Sequence, residues 1–266
     1  MHPKQLSFFL LVGGALLLLG SCALVIVPYP QAGTSWSGQV FYDRTFTLEP
    51  GGRVNFLAEV QEISLEIKGQ EKEELRIIAS QSLPFSPRGT IIFGGRRDLP
   101  RVETETRDSS IYIWTRKGKE TIFPVKIEMR VPRKVELNQV SINDGDIFVH
   151  DLFGLLVIRA ERAMLRIINF SGSVDASVEA GGIEAEVLDL REEDVVDLRT
   201  TEGDIELSLE PQAEATIQAT VSDGRIISDF PPESEPGSQL DLRLGDGKAK
   251  VKLRALKGNI RLKKIE

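Results

Sequence analysis

The chain has 266 residues and a formal net charge of −7, with 41% hydrophobic and 27% charged residues. This composition is typical of a folded globular body and excludes an intrinsically disordered chain. The acidic balance, together with the lack of a long basic run, argues against a nucleic-acid partner, because such a protein needs cations that follow the phosphates.

The first predicted element is an uncharged segment from Ser7 to Val27. As a helix rising about 1.5 Å per residue, it would span about 30 Å, which is the thickness of a bilayer core. We therefore predict a signal peptide or membrane anchor over residues 1–27, with the rest of the chain outside the cytoplasm. Residues 28–38 begin with prolines and continue with small and polar residues, so they are predicted to form a linker.

Two kinds of anchor stay open at Cys22, the single cysteine of the chain. The stretch Leu19-Gly20-Ser21-Cys22 resembles the lipobox of bacterial lipoproteins, in which this cysteine would be acylated. The apolar run continues past it to Val27, which is typical of an uncleaved transmembrane helix. The only histidines are His2 and His150, so a zinc site of ordinary composition cannot be built, and we predict no metal site and no cofactor.

Residues 39–132 are predicted to form an N-terminal β region. Ile63, Leu65 and Ile67 alternate with polar residues, which is the pattern of a half-buried strand. The stretch from Gln81 to Pro100 contains several prolines and glycines, so it is predicted to be a long surface loop.

A glycine-punctuated array of strands is predicted over residues 133–266. A small residue, usually glycine, is followed by a polar residue and then by apolar residues at every second position, as in Gly203-Asp204-Ile205. From Gly145 to Gly181 the small residues recur at nine-residue steps, and the later steps are longer. Glycine suits sharp corners of the backbone, and the predicted corners are Gly145, Gly154, Gly172, Gly182, Gly203, Gly224 and Gly258.

A short fixed period with one strand per unit predicts stacked strands. We therefore predict an all-β fold, with β-solenoid or β-helix-like repeats in the C-terminal half. A smaller β region and one N-terminal apolar helix or signal segment would precede them. An antiparallel sandwich stays open, because Asp144-Gly145, Asp223-Gly224 and Asp246-Gly247 are dipeptides typical of hairpins.

Several stretches resemble the DUF4097 family of proposed adhesins, which contain β-strand repeats. They are Phe46 to Gly52, Val131 to Leu137 and Asn143 to Ile147, followed by the repeated Gly-x-Ile/Val units. The resemblance covers about Phe46 to Ile265. It implies an extracytoplasmic β-repeat domain, often tethered to a membrane, with a surface or interaction role that is sometimes linked to envelope-stress regulation. It implies no catalytic residues.

Two polar motifs of the array could carry chemistry. Asp144 and Asp146 flank Gly145, but the further acids of a calcium-binding loop are missing, so turn chemistry is favoured over a metal site. His150-Asp151 could be an orienting pair for a general base, yet no nucleophile motif accompanies it.

Glycoside cleavage would need two convergent carboxyl groups. Asp175, Glu184 and Glu206 are instead scattered one per predicted strand on alternating faces. Outward solubilising charge therefore explains them better than an active site does.

The sequence favours a non-enzymatic interaction module of the cell envelope, adhesin-like or a scaffold. The membrane would hold it by its N-terminus, and its partner would be a protein or a polysaccharide at a surface. A regulatory envelope-stress sensor that acts through a membrane partner is an alternative. A carbohydrate-active β-helix enzyme is a further alternative.

Overall fold

The computed structural model describes residues 22–26, 39–48, 51–58, 62–81, 90–94, 100–116, 124–231 and 237–265. These residues fold into strands and turns without a helix, so the predicted all-β class is confirmed for this part of the chain. None of the described residues belongs to a helix that is long and apolar enough to cross a membrane.

The described residues form the strands β1 to β18. In chain order they are β1 (Cys22–Ile26), β2 (Gln39–Thr47), β3 (Arg53–Ala58), β4 (Ile63–Gln70), β5 (Glu74–Gln81), β6 (Thr90–Gly94), β7 (Arg101–Arg107), β8 (Ser110–Arg116), β9 (Val125–Pro132), β10 (Lys134–Ala180), β11 (Ile183–Asp189), β12 (Val195–Glu202), β13 (Ile205–Leu209), β14 (Ala215–Asp223), β15 (Ile226–Ser228), β16 (Gln239–Arg243), β17 (Ala249–Lys257) and β18 (Ile260–Lys264).

β1 and β6 pair antiparallel in a two-stranded sheet of their own. The structure thus has strands where the sequence predicts the end of an apolar helix or signal segment, and within the predicted surface loop. Both stretches are rich in β-branched residues, which favour extended backbone. The rest of the predicted leader, residues 1–21 and 27, and all of the predicted linker lie outside the described residues.

The other sheet is built mainly from two stacks of parallel strands. Stack A contains, in spatial order, β9, β4, two segments of β10 (145–150 and 163–168), β11, β13, β18 and β15. Stack B contains β8, β3, three segments of β10 (136–142, 154–160 and 174–180), β12, β17 and β14. The predicted alternative of an antiparallel sandwich is therefore wrong for the array. The reason is that the strands of the two stacks pair in parallel with their neighbours in the same stack, and not antiparallel with hairpin partners.

β10 is a single 47-residue strand that bends repeatedly. Side chains 18 residues apart meet on successive turns, as Arg162 does with Asp144 and Asn169 with Asp151. The nine-residue step of the sequence is therefore half a turn. Positive φ angles occur at the bends, which are Gly145, Asp151, Gly154, Asn169 and Gly172.

Most of the predicted corner glycines have a positive φ, including Gly203, Gly224 and Gly258. At the Gly181-Gly182 pair it is Gly181 that has the positive φ of 129°. Ala163 takes the same place one turn earlier. A Cβ added at Gly181 would overlap the carbonyl oxygen of Ala163, so the two residues lie directly against each other.

The spatial order of the strands departs from their chain order near both ends. β17 lies between β12 and β14, and β18 lies between β13 and β15. In the same way, β3 and β4 lie between β10 and the later strands β8 and β9. At the C-terminal end, strands late in the chain thus complete the sheet between strands that precede them, whereas at the N-terminal end early strands lie between later ones.

The inward side chains of both stacks form one hydrophobic core. Alternate positions of each strand are buried, as Val251 and Leu253 are in β17, and many inward positions carry alanine. The edges of the stacks carry antiparallel strands: β7 pairs with β8, β5 with β9, β2 with β5, and β16 with β14. The opposite alternate positions face solvent, so function has to be sought on the outward faces.

Candidate functional site

The outward face of stack B is richest in charge at its C-terminal end, over β12, β17, β14 and β16. Alternation directs every second side chain of these strands to solvent. This surface carries five cationic side chains and only two carboxylates, although the whole chain is acidic. The cations are Arg199, Arg243, Lys250, Lys252 and Arg254, and the carboxylates are Asp197 and Asp241.

A ladder of ion pairs crosses this face. Arg159 and Arg199 share the carboxylate of Asp175, with N–O distances of 2.5 and 2.9 Å. Arg199 also binds Asp197 at 3.0 Å, and Arg254 approaches the other oxygen of Asp197 at 3.4 Å. The hydrogen bond that Arg199 donates to Asp197 holds the pKa of Arg199 above its usual value. The ladder fixes the orientation of these side chains across several strands.

A polar groove of about 290 Å³ lies beside the end of this ladder. β14 lies between β16 and β17, and it contributes Gln218 and Thr220 to the lining of the groove. β17 contributes Lys252 and Arg254 from one side, and β16 contributes two further residues, Gln239 and Asp241, from the other. We call this set of side chains the β14 groove.

Several donors of the β14 groove are available to a ligand. Among the residues that the structure describes, Lys252 forms no ion pair, although it is half-buried. Arg254 has one carboxylate contact, at 3.4 Å, which leaves most of its guanidinium donors open. Asp241 accepts one hydrogen bond, from Gln218 at 3.2 Å. The groove can therefore bind an anionic group and hydroxyl groups together.

A second polar cluster surrounds His150 on stack A. His150 Nδ1 lies 3.1 Å from an oxygen of Asp151. Its Nε2 lies 3.5 Å from Glu66, close enough for an electrostatic contact but too far for a strong hydrogen bond, so this buried nitrogen has no hydrogen-bond partner within the described part of the chain. The predicted His150-Asp151 pair is thus formed, and the structure adds Glu66 from β4.

The neighbours of the two carboxylates keep them ionised. Burial opposes the charge of Glu66, but Lys126 and His150 outweigh it, so the pKa of Glu66 is lowered. Hydrogen bonds from Asn169 first, and then from His150, lower the pKa of Asp151. Asp151 also has a positive φ of 60°, so it holds a corner of β10 as well as a charge. These contacts give the cluster a structural role.

Asp151→Asn is expected to destabilise the protein at neutral pH but not in acid. Because the folded pKa of Asp151 is lowered, its ionised form stabilises the fold above the unfolded pKa, and this contribution disappears as the pH falls through the folded value. Asparagine tolerates the positive φ. Unfolding by urea should give a loss of about 1 kcal/mol at pH 7 that vanishes once the pH falls below the lowered pKa of Asp151.

Asn169→Gly provides the matched control, since glycine keeps the positive φ of 53° and removes the donor to Asp151. In that background, Asp151→Asn should cost clearly less at pH 7. A cost for Asp151→Asn that is the same at every pH would contradict the assigned role of the charge.

Three carboxylates, Glu184, Asp204 and Glu206, line a separate groove of about 230 Å³ on stack A. Each already has partners. Glu184 binds Arg166 at 2.8 Å, Asp204 accepts the Asn259 backbone N–H at 2.7 Å, and Glu206 binds Arg261 and Lys263. Burial opposes the charge of Glu206, but its two cations lower its pKa nonetheless.

The remaining predicted candidates are dispersed. Asp144 binds Arg162 at 3.0 Å, and Asp175 belongs to the ladder on stack B, away from Glu184 and Glu206 on stack A. Within the described residues, no group of three histidine, cysteine or acidic side chains could hold a metal ion.

The β14 groove could not be predicted from the sequence. The alternating cations of β17, Lys250, Lys252 and Arg254, are visible in the sequence as a signal. Their neighbours are not, because Gln218 and Asp241 come next to them through an insertion of strands that no local pattern encodes.

The fold and the groove define an all-β protein of parallel strand stacks with a polar, solvent-facing site. No protein-family model matches the chain, and no curated protein sequence matches it. The fold is similar to that of a proposed cell adhesion protein from Clostridium sporogenes. The two are 14% identical, the match covers 85% of this chain and 100% of the other, and the TM-score is 0.50.

A second solved structure that matches is a proposed adhesin from Bacteroides fragilis, at 11% identity and a TM-score of 0.25. That match covers 88% of this chain and 100% of the other. At 14% identity, the likeness to the Clostridium sporogenes protein concerns the fold alone.

Proposed function

We propose that the chain is a non-enzymatic, adhesin-like interaction module of the cell envelope. The observation that carries the proposal is the fold, which is shared along 85% of the chain with a proposed cell adhesion protein. In this proposal the stacked strands form a short β-solenoid of the DUF4097 kind. Their outward faces present a broad polar surface to a partner, as stacked repeats commonly do.

The charge pattern supports a binding role over carbohydrate cleavage. A glycosidase needs one carboxyl group that stays protonated near neutral pH, so its pKa must be raised. In the groove lined by three carboxylates, the pKa of Glu206 is lowered, and Glu184 forms an ion pair with Arg166. Carboxylates held in this way bind cations, and they do not supply the proton that cleavage requires.

The proposal also places the β body outside the membrane. The uncharged segment from Ser7 to Val27 would direct export, and either an acylated Cys22 or the apolar segment itself would hold the chain. The partner would be a protein or a polysaccharide at a surface.

Adhesion of coated beads tests the function. Beads that carry the full chain should adhere to cells of its own species more than beads coated with albumin, and free protein should compete. Protease added to intact cells should remove the β body while a cytoplasmic marker survives. The proposal fails if adhesion equals that of albumin beads, or if the body resists a protease that degrades a known surface protein.

A further inference from the structure

We propose that the β14 groove binds an acidic glycan, through the carboxylate and the hydroxyl groups of a uronic-acid-type sugar. This inference rests on the proposed interaction role and names the ligand class for it.

The cations of the groove select an anion. Lys252 and Arg254 lie two residues apart on β17, which separates their backbones by about 6.6 Å on the same face. Lys250 continues the row, and none of the carboxylates in the described residues pairs with Lys250 or Lys252. Arg254 can bind a carboxylate through two parallel hydrogen bonds, whereas Lys252 contributes a point charge.

The other side of the groove selects hydroxyl groups. Asp241 accepts hydrogen bonds only, and Gln218 and Gln239 can both donate and accept. A carboxylate such as Asp241 would repel a ligand that carried anions alone, for example inorganic phosphate or a nucleic-acid backbone. A sugar acid, which carries one anionic group and several hydroxyl donors, matches both sides.

The groove is also held in a fixed shape. The neighbouring ladder orients Arg254 through Asp197, whose side chain is only 15% exposed. Gln218 is oriented by Asp241, and the floor lies on β14, which is hydrogen-bonded on both sides to β16 and β17. Polar groups that are fixed before the ligand arrives lose less entropy on binding.

Binding of the full chain to polygalacturonate, measured by calorimetry, tests this inference. The matched neutral probe is the same polymer with its carboxylates methyl-esterified, which keeps the hydroxyl groups and removes the charge. We expect binding to the acid form, weakened by salt, and a loss of at least about tenfold with the ester.

Two double variants locate the site. K252Q with R254Q should weaken binding to polygalacturonate about tenfold or more. R261Q with K263Q removes the same charge from the same turn of the chain, but on stack A, and should leave binding unchanged. Circular dichroism would verify that both variants fold.

Equal binding of the acid and the ester, or equal losses in both double variants, would overturn the inference. If polygalacturonate does not bind while coated beads still adhere to cells, the glycan inference is wrong and the proposed function stands. If neither binding nor adhesion is found, both are wrong.

Discussion

Removing residues 249–266 is expected to unfold β14, β15 and β16 in addition to the strands that are deleted. β14 and β16 pair with each other, and β15 pairs with β18, so all three attach to the rest of the sheet through β17 and β18. An isolated pair of short strands is marginally stable in water. The truncation also exposes the edges of β12 and β13, which promotes aggregation.

Hydrogen exchange measured by mass spectrometry gives the result strand by strand. In the truncated chain, residues 215–243 should exchange as fast as an unstructured peptide, while residues 154–187 keep their protection. A suitable control is the full-length chain with Lys250→Ser, which changes an exposed side chain on β17 and should leave every strand protected. Full protection of residues 215–243 after truncation would contradict the insertion of β17 and β18.

The sequence predicts the class of fold and most of the core because these depend on local patterns. Alternation assigns Val251 and Leu253 to the inside, and both are fully buried. The nine-residue step predicts bends, and the structure places positive φ angles at Gly145, Gly154 and Gly172. In each case a short stretch of sequence contains all the information that the prediction needs.

The order of the strands could not be predicted in the same way. β14 and β17 have equivalent alternating patterns, so either could pair with β12. Their order depends on packing and pairing between residues far apart in the chain, and the contact between Lys257 and Glu202 at 2.8 Å is one that this order brings about. The β14 groove is formed by strands that this order brings together, so it could not be predicted from the sequence either. The pairing of β1 with β6 likewise joins remote segments.

Gly203→Ala is expected to cost about 4 kcal/mol or more of the free energy of unfolding. Gly203 has a φ of 146°, which an alanine rarely adopts, and a Cβ at this position would overlap the carbonyl oxygen of Gly181 on the preceding turn. Relief would require the two turns to separate, which would break hydrogen bonds such as that from the Gly181 backbone N–H to Glu202.

Two other glycines provide controls for this substitution in the same chain. A Cβ at Gly237 meets nothing within 4 Å, so Gly237→Ala should change stability by less than about 0.5 kcal/mol. A Cβ at Gly182 would lie 2.9 Å from the flexible Met164 side chain, which can move, so an intermediate loss of about 1 kcal/mol is expected. Urea denaturation of the three variants should give this ranking. A Gly203→Ala variant as stable as Gly237→Ala would show that adjacent turns do not pack backbone against backbone at this corner, and it would remove the physical basis for the recurring glycines.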